Sequence, residues 1–195
     1  MLNTRLVLVL IASLALIVLF LLLPKQPASV RSQQQAPLNV DSLKLEEAVK
    51  LVRSPNPMEG IRLLRELVEK DSTNLDAQFQ LGLFSIESGQ MEKAIARFEK
   101  ILAMDSTHAG ALVEWGGIKF QAGQKEEALE LFRKSLITHP DDMVANFLAA
   151  QIEDETGQLE EAKKHYAKVL ELTRDTTATN EVKRRIENIN KKLIP

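Results

Sequence analysis

A six-residue phrase returns every 34 positions in this chain. Gly89-Gln90-Met91-Glu92-Lys93-Ala94 recurs as Gly123-Gln124-Lys125-Glu126-Glu127-Ala128 and again as Gly157-Gln158-Leu159-Glu160-Glu161-Ala162. A period of this length marks stacked helical hairpins, each unable to bury its apolar face without a neighbour. The expectation is an all-α solenoid, shaped for holding another chain rather than for bond-making chemistry.

Helical spacing fills the intervals. Phe79, Gly82, Leu83 and Ile86 share one face, as do Ala94, Ile95, Phe98, Ile101 and Leu102. The same alternation returns in Val113, Gly116, Gly117 and Phe120, then in Ala128, Leu129, Phe132 and Leu136. The glycine that opens each phrase sits where a helix ends and suits a left-handed C′ position. The alanine five residues later leaves room for two helices to cross closely. An aromatic four residues beyond it (Phe98, Phe132, Tyr166) fills the space between hairpins. Asp71-Ser72-Thr73 and Asp105-Ser106-Thr107 also repeat at 34 residues and supply helix-stopping and capping groups.

With these residues in view, the chain resembles the tetratricopeptide repeat (TPR) family, clearly over residues 75–174 as three units. The family's Leu-Gly pair stands as Leu81-Gly82, Trp115-Gly116 and Ala149-Ala150, so Trp115 is expected in the core. The family's tyrosine position holds Ser85, Lys119 and Glu153, and its closing proline appears only as Pro140. Residues 41–74 read as a degenerate first unit, with Pro55, Gly60 and Leu64 standing 34 residues before Gly89, Ala94 and Phe98. Asn56-Pro57 gives that unit an N-cap and a proline at the first helical position. At the other end, residues 175–195 are expected to form a capping helix. Val182, Ile186, Ile189 and Leu193 make its apolar stripe, and Lys183, Arg184, Arg185, Lys191 and Lys192 its solvated face.

Ahead of the repeats lies a different kind of sequence. After a tail of residues 1–5, Leu6 to Leu23 is an 18-residue apolar run whose only polar side chain is Ser13. At about 1.5 Å per residue it spans roughly 27 Å, close to the hydrocarbon thickness of a bilayer. Fifteen of its residues are Leu, Val, Ile or Phe, and insertion gains on the order of 6 kcal/mol. A cleaved signal peptide has a shorter apolar region and a small-residue cleavage site. Pro24-Lys25-Gln26-Pro27-Ala28 offers no such site, so residues 6–23 read as a retained transmembrane helix. Arg5 precedes it and Lys25 and Arg31 follow, a nearly balanced charge count. A five-residue tail is more readily left inside, which in a bacterial inner membrane puts the repeats in the periplasm. Residues 24–40, with three prolines and four glutamines, read as a flexible linker.

Composition narrows the chemistry. The 25 Lys and Arg nearly balance the 27 Asp and Glu, so no broad positive field attracts nucleic acid. With one Trp, one Tyr and seven Phe, a large aromatic-lined cofactor pocket is not expected, and no cofactor is. No cysteine is present to form a disulfide, a thiolate metal site or a lipid anchor. Phosphate-loop, dinucleotide, nucleophile-elbow and zinc-helix motifs do not occur. His108, His139 and His165 lie 31 and 26 residues apart, which is not ligand spacing, and no carboxylate cluster accompanies them. Glu126-Glu127, Glu160-Glu161 and Asp141-Asp142 fall near helix starts, where negative charge complements the helix dipole. No catalytic or metal residue is therefore expected.

The resemblance implies that the first helices line a groove, at Phe79, Leu83, Ile86, Val113, Gly117, Phe120, Phe147 and Gln151. The Lys, Asn and Arg with which some TPR domains clamp a C-terminal carboxylate are missing from these positions. What remains is mostly apolar, with small sites at Gly110 and Gly117, and suits an extended apolar peptide or an amphipathic helix. Two other readings stand beside it: the side chains are inter-repeat core, or they are covered by the linker or a second copy. The layout is similar to membrane-tethered assembly factors of cytochrome c maturation or envelope-protein secretion. Its alternative is a self-associating structural element, a homo-oligomer without a foreign peptide.

Overall fold

The computed structural model describes residues 40–193. The tail at 1–5, the transmembrane helix at 6–23 and the linker at 24–39 lie outside the described residues. Among the described residues no helix is long and apolar enough to cross a membrane. All packing reported below belongs to the unit Lys44–Pro195.

The described residues form nine helices and no strand: α1 (Val40–Val52), α2 (Pro57–Lys70), α3 (Leu75–Glu87), α4 (Met91–Met104), α5 (Ala109–Gln121), α6 (Lys125–Thr138), α7 (Met143–Glu155), α8 (Leu159–Leu172) and α9 (Thr176–Leu193). Consecutive helices pack as hairpins, and neighbouring first helices (α3 with α5, α5 with α7) also touch. This is a TPR-like solenoid. Val40, taken from sequence as the end of the linker, is the first residue of α1. The capping helix starts at Thr176, within the expected residues 175–195. The Asp175 carboxylate accepts from the Thr177 and Ala178 amides and so fixes its first turn.

The repeated glycines end α3, α5 and α7 as their sequence position requires. Gly89, Gly123 and Gly157 have φ of 71°, 78° and 81°. Each is followed by a paired closure: the Gly89 amide donates to the Ile86 carbonyl (2.9 Å) and the Gln90 amide to that of Ser85 (2.7 Å). The first hairpin cannot end its helix this way. Pro55 occupies the corresponding place, and its ring forbids positive φ. There the turn closes instead through the Ser54 amide on the Leu51 carbonyl.

Capping differs from the sequence expectation. The Asp71 and Asp105 carboxylates turn back on Thr73 and Thr107, accepting from both amide and hydroxyl, and so stop α2 and α4. The caps themselves are the next residues: Asn74, His108 and Asp142 accept from the amides of Ala77, Ala111 and Ala145. Each is worth about 1 kcal/mol. Asn56 holds the N-cap position of α2 with Pro57 behind it, but its side chain makes no capping bond.

Small residues set the helix crossings. Ala94, Ala128 and Ala162 are fully buried, as are Phe98, Phe132 and Tyr166 or nearly so. A Cβ on Gly82 would stand 2.6 Å from the Phe98 ring, and one on Gly116 would stand 2.7 Å from that of Phe132. In the last unit Ala150 replaces the glycine and packs in the cluster around Tyr166. The first hairpin exchanges the pair: Ala48 stands at the glycine position and Gly60 at the alanine position. A Cβ on Gly60 would meet the Ala48 carbonyl and the Val52 amide at 2.5 Å each, so the α1 backbone itself lies on α2 here.

Candidate peptide-binding groove

Three rows of side chains run across the first helices at 34-residue intervals, and they do different work. Phe79, Val113 and Phe147 form the innermost row. The Phe79 ring sits where a Gly110 Cβ would be, at 2.7 Å, and lies 6.0 Å from the Phe98 ring and 5.3 Å from that of His108. The space beside Gly110, a small site of the expected groove, is thus taken up by a neighbour of its own chain. Val113 is buried among Ala128, Leu129 and Phe132 rather than facing a groove. Phe147 meets Tyr166 edge-on at 6.1 Å. This row is largely inter-hairpin packing.

The middle row is Leu83, Gly117 and Gln151. Leu83 is half-buried and belongs to none of the core clusters. A Cβ on Gly117 would meet nothing within 4 Å. The Gln151 amide reaches only Glu155 on its own helix, at 3.3 Å. The third row begins with Ile86 and Phe120, both half-buried against the core. It ends with Asp154, which Lys192 of α9 grips at 2.8 Å while Arg185 stands at 4.0 Å. The basic face of α9 is therefore partly spent on fastening the cap. Val182 and Ile189 bury as the stripe requires and Ile186 packs beside them, whereas Leu193 stays exposed.

Trp115 is half-buried against the α4–α5 cluster, with the Lys119 ammonium 5.5 Å from its ring centroid.

The family's tyrosine position carries three solutions to one packing problem. Ser85 is buried and returns its hydroxyl to the Leu81 carbonyl at 2.8 Å. Lys119 reaches Glu127 across the hairpin at 2.6 Å. Glu153 is fully buried and held by Arg133 (2.8 Å, from α6) and His165 (2.7 Å, from α8). Arg133 also donates to Gln158 at 2.8 Å. The sequence shows no carboxylate cluster beside the histidines, and the fold brings a single carboxylate, Glu153, to His165. The 34-residue register was the available signal, since it sets Glu153 on the tyrosine site that both flanking second helices approach. The set is one carboxylate with one imidazole, and no group of three or more metal-ligating side chains occurs among the described residues.

Comparison with known proteins agrees with this architecture. Two family models described as tetratricopeptide repeat match residues 119–186 and 75–108. No curated protein sequence matches. Among solved structures, MamA residues 41-end from Desulfovibrio magneticus RS-1 is 19% identical with a TM-score of 0.57, covering 80% of this chain and 97% of that one. PilF of Pseudomonas aeruginosa is 19% identical with a TM-score of 0.64, covering 78% and 68%. A tetratricopeptide repeat protein from Parabacteroides merdae is 15% identical with a TM-score of 0.62, covering 78% and 60%. At these identities the likeness is one of fold.

Proposed function

The chain belongs to the tetratricopeptide repeat family, and from that premise we propose that it is a protein–protein interaction scaffold held at a membrane by residues 6–23. The domain presents its first-helix face to an apolar extended peptide or amphipathic helix. One observation carries the reading: the half-buried Leu83–Gly117–Gln151 row recurs across three hairpins with free space above Gly117, and is flanked by half-buried Ile86 and Phe120. Backbone can approach closely at Gly117, and apolar side chains on either side can accept the bound chain. Tethering beside other membrane proteins raises local concentration, so modest groove affinity suffices. In a bacterial inner membrane the repeats would face the periplasm, where assembly of cytochromes or envelope proteins offers suitable clients.

The test uses the open row, because Phe79 is inter-hairpin packing and its loss would unfold rather than unbind. Leu83→Asp and Gly117→Arg should leave helix content and Tm near wild type while abolishing crosslinked partners recovered from native membranes. Unchanged capture in the folded double variant overturns the groove reading. Recovery of only this chain from wild type favours a self-associating element instead.

A further inference from the structure

Three inter-hairpin seams repeat the same geometry with different charges. In the third, the Glu153 carboxylate is held by Arg133 and His165, and Arg133 also donates to Gln158. In the second, Lys119 takes the central place and finds Glu127. In the first, counting back 68 residues, the central residue is Ser85 and its flanking groups are Arg65, Arg97 and Gln90. These four, with Lys93 and Glu69, line a pocket on the α2–α3–α4 surface whose apolar floor includes Ile61 and Leu81. The cations that would enclose a carboxylate are present, and the carboxylate is not.

The side chains bear this out. Arg97 donates one Nη1 bond to Gln78 at 2.7 Å, but its buried Nε has no partner. Burial, and then the charge of Arg65, hold the Arg97 guanidinium below its ordinary range. Two guanidinium groups thus line one pocket, close enough for each charge to disfavour the other. Arg65 makes no hydrogen bond or ion pair with the described residues, and Lys93 is engaged only by the neutral Gln90 amide at 2.6 Å. Glu69 is one carboxylate among the three cations that line the pocket.

We propose that this pocket binds a carboxylate of a partner peptide, an acidic residue with apolar neighbours, taking the place that Glu153 fills internally in the third seam. Its cations come from the second helices α2 and α4, and Leu81, Phe84 and Ser85 lie on the other side of α3 from Leu83, so the pocket is separate from the groove and does not depend on it. A peptide is the fitting carrier because the pocket is open and two of its cations, Arg65 and Lys93, are exposed. It cannot enclose a small acid, whereas a peptide continues onto the apolar floor and the adjoining surface. Guanidinium groups supply charge-assisted bonds suited to a planar carboxylate.

The test grafts one seam onto the other in the full chain, held in detergent micelles. Ser85→Glu should raise Tm by about 2 to 4 °C by pairing with Arg65 and Arg97, and Arg97→Gln in the same chain should cancel the gain. The peptide Gly-Leu-Glu-Leu-Gly-amide, carrying tetramethylrhodamine on its N-terminus, should bind wild type about tenfold more tightly than its Gln counterpart, the worth of one charge-assisted bond. That preference should vanish in Arg97→Gln and in Ser85→Glu, while Leu83→Asp leaves it intact. Arg65→Gln, at an exposed side chain, should lower the preference without moving Tm, and it serves if the buried variants unfold. Equal binding of the two peptides, no binding of either, a fall in Tm on Ser85→Glu, or a preference that survives loss of both arginines overturns the proposal.

Discussion

Gly116 and Gly117 are neighbours in the chain and opposites in the fold. A Cβ on the first would collide with the Phe132 ring at 2.7 Å; a Cβ on the second would meet nothing within 4 Å. The Gly116 position is small in every hairpin, as Ala48, Gly82, Gly116 and Ala150, while the Gly117 position reads Val49, Leu83, Gly117 and Gln151. Repetition therefore reports a fixed helix crossing, and drift reports a surface that can change without moving the backbone. The tyrosine position adds a third case: Ser85, Lys119 and Glu153 drift in charge yet stay wedged between hairpins, so each needs its own partner.

Substitutions can break this comparison, and the sharpest strikes the fixed crossing. Gly60→Ala should cost about 3 kcal/mol, because the new methyl meets α1 backbone rather than a movable side chain. Chemical denaturation reads the loss, and a neutral result would mean that α1 can slide. Glu153→Ala comes next, at about 2 kcal/mol, since it strips Arg133 and His165 of a fully buried acceptor. If stability is unchanged there, the drifting wedge position is as free as the groove row.

Gly116→Ala should cost about 1 to 2 kcal/mol, the overpacking against Phe132 exceeding the helix-propensity gain. Gly117→Ala should reverse the sign and stabilise by about 0.5 to 1 kcal/mol, as propensity alone acts where space is open. Equal effects from the two neighbours would erase the distinction between crossing and groove. The smallest effect lies on the capping helix. Hydrogen bonds from Arg184 and then Arg185 draw Glu181 from its ordinary 4.5 down to about 2. Its folded value lies below its unfolded one, so its contribution is complete above about pH 4.5 and fades as pH falls towards 2. The Tm gap between wild type and Glu181→Gln should be present at neutral pH and close over that range.

Features that depend on a few neighbours in sequence were legible before any fold was known. The left-handed Gly89, Gly123 and Gly157, the crossing alanines and the wedge aromatics all follow from a strict period. Long-range choices were not. The filling of Gly110 by Phe79 joins residues 31 apart in sequence, and the pairing of Arg133 with Glu153 joins residues 20 apart. His108 as a cap was missed because histidine is an uncommon cap, though its Nδ1 accepts the Ala111 amide at 3.1 Å as Asn74 and Asp142 do with theirs.

Sequence alone determined the hairpins, since period, turn glycines and apolar spacing are local constraints on a regular backbone. Which side chains of the first helices remain open, and that the buried Arg97 Nε is left without a partner, was decided only when the helices stacked. Vacancy and burial are properties of what a neighbour brings from another hairpin, and no residue carries that information by itself.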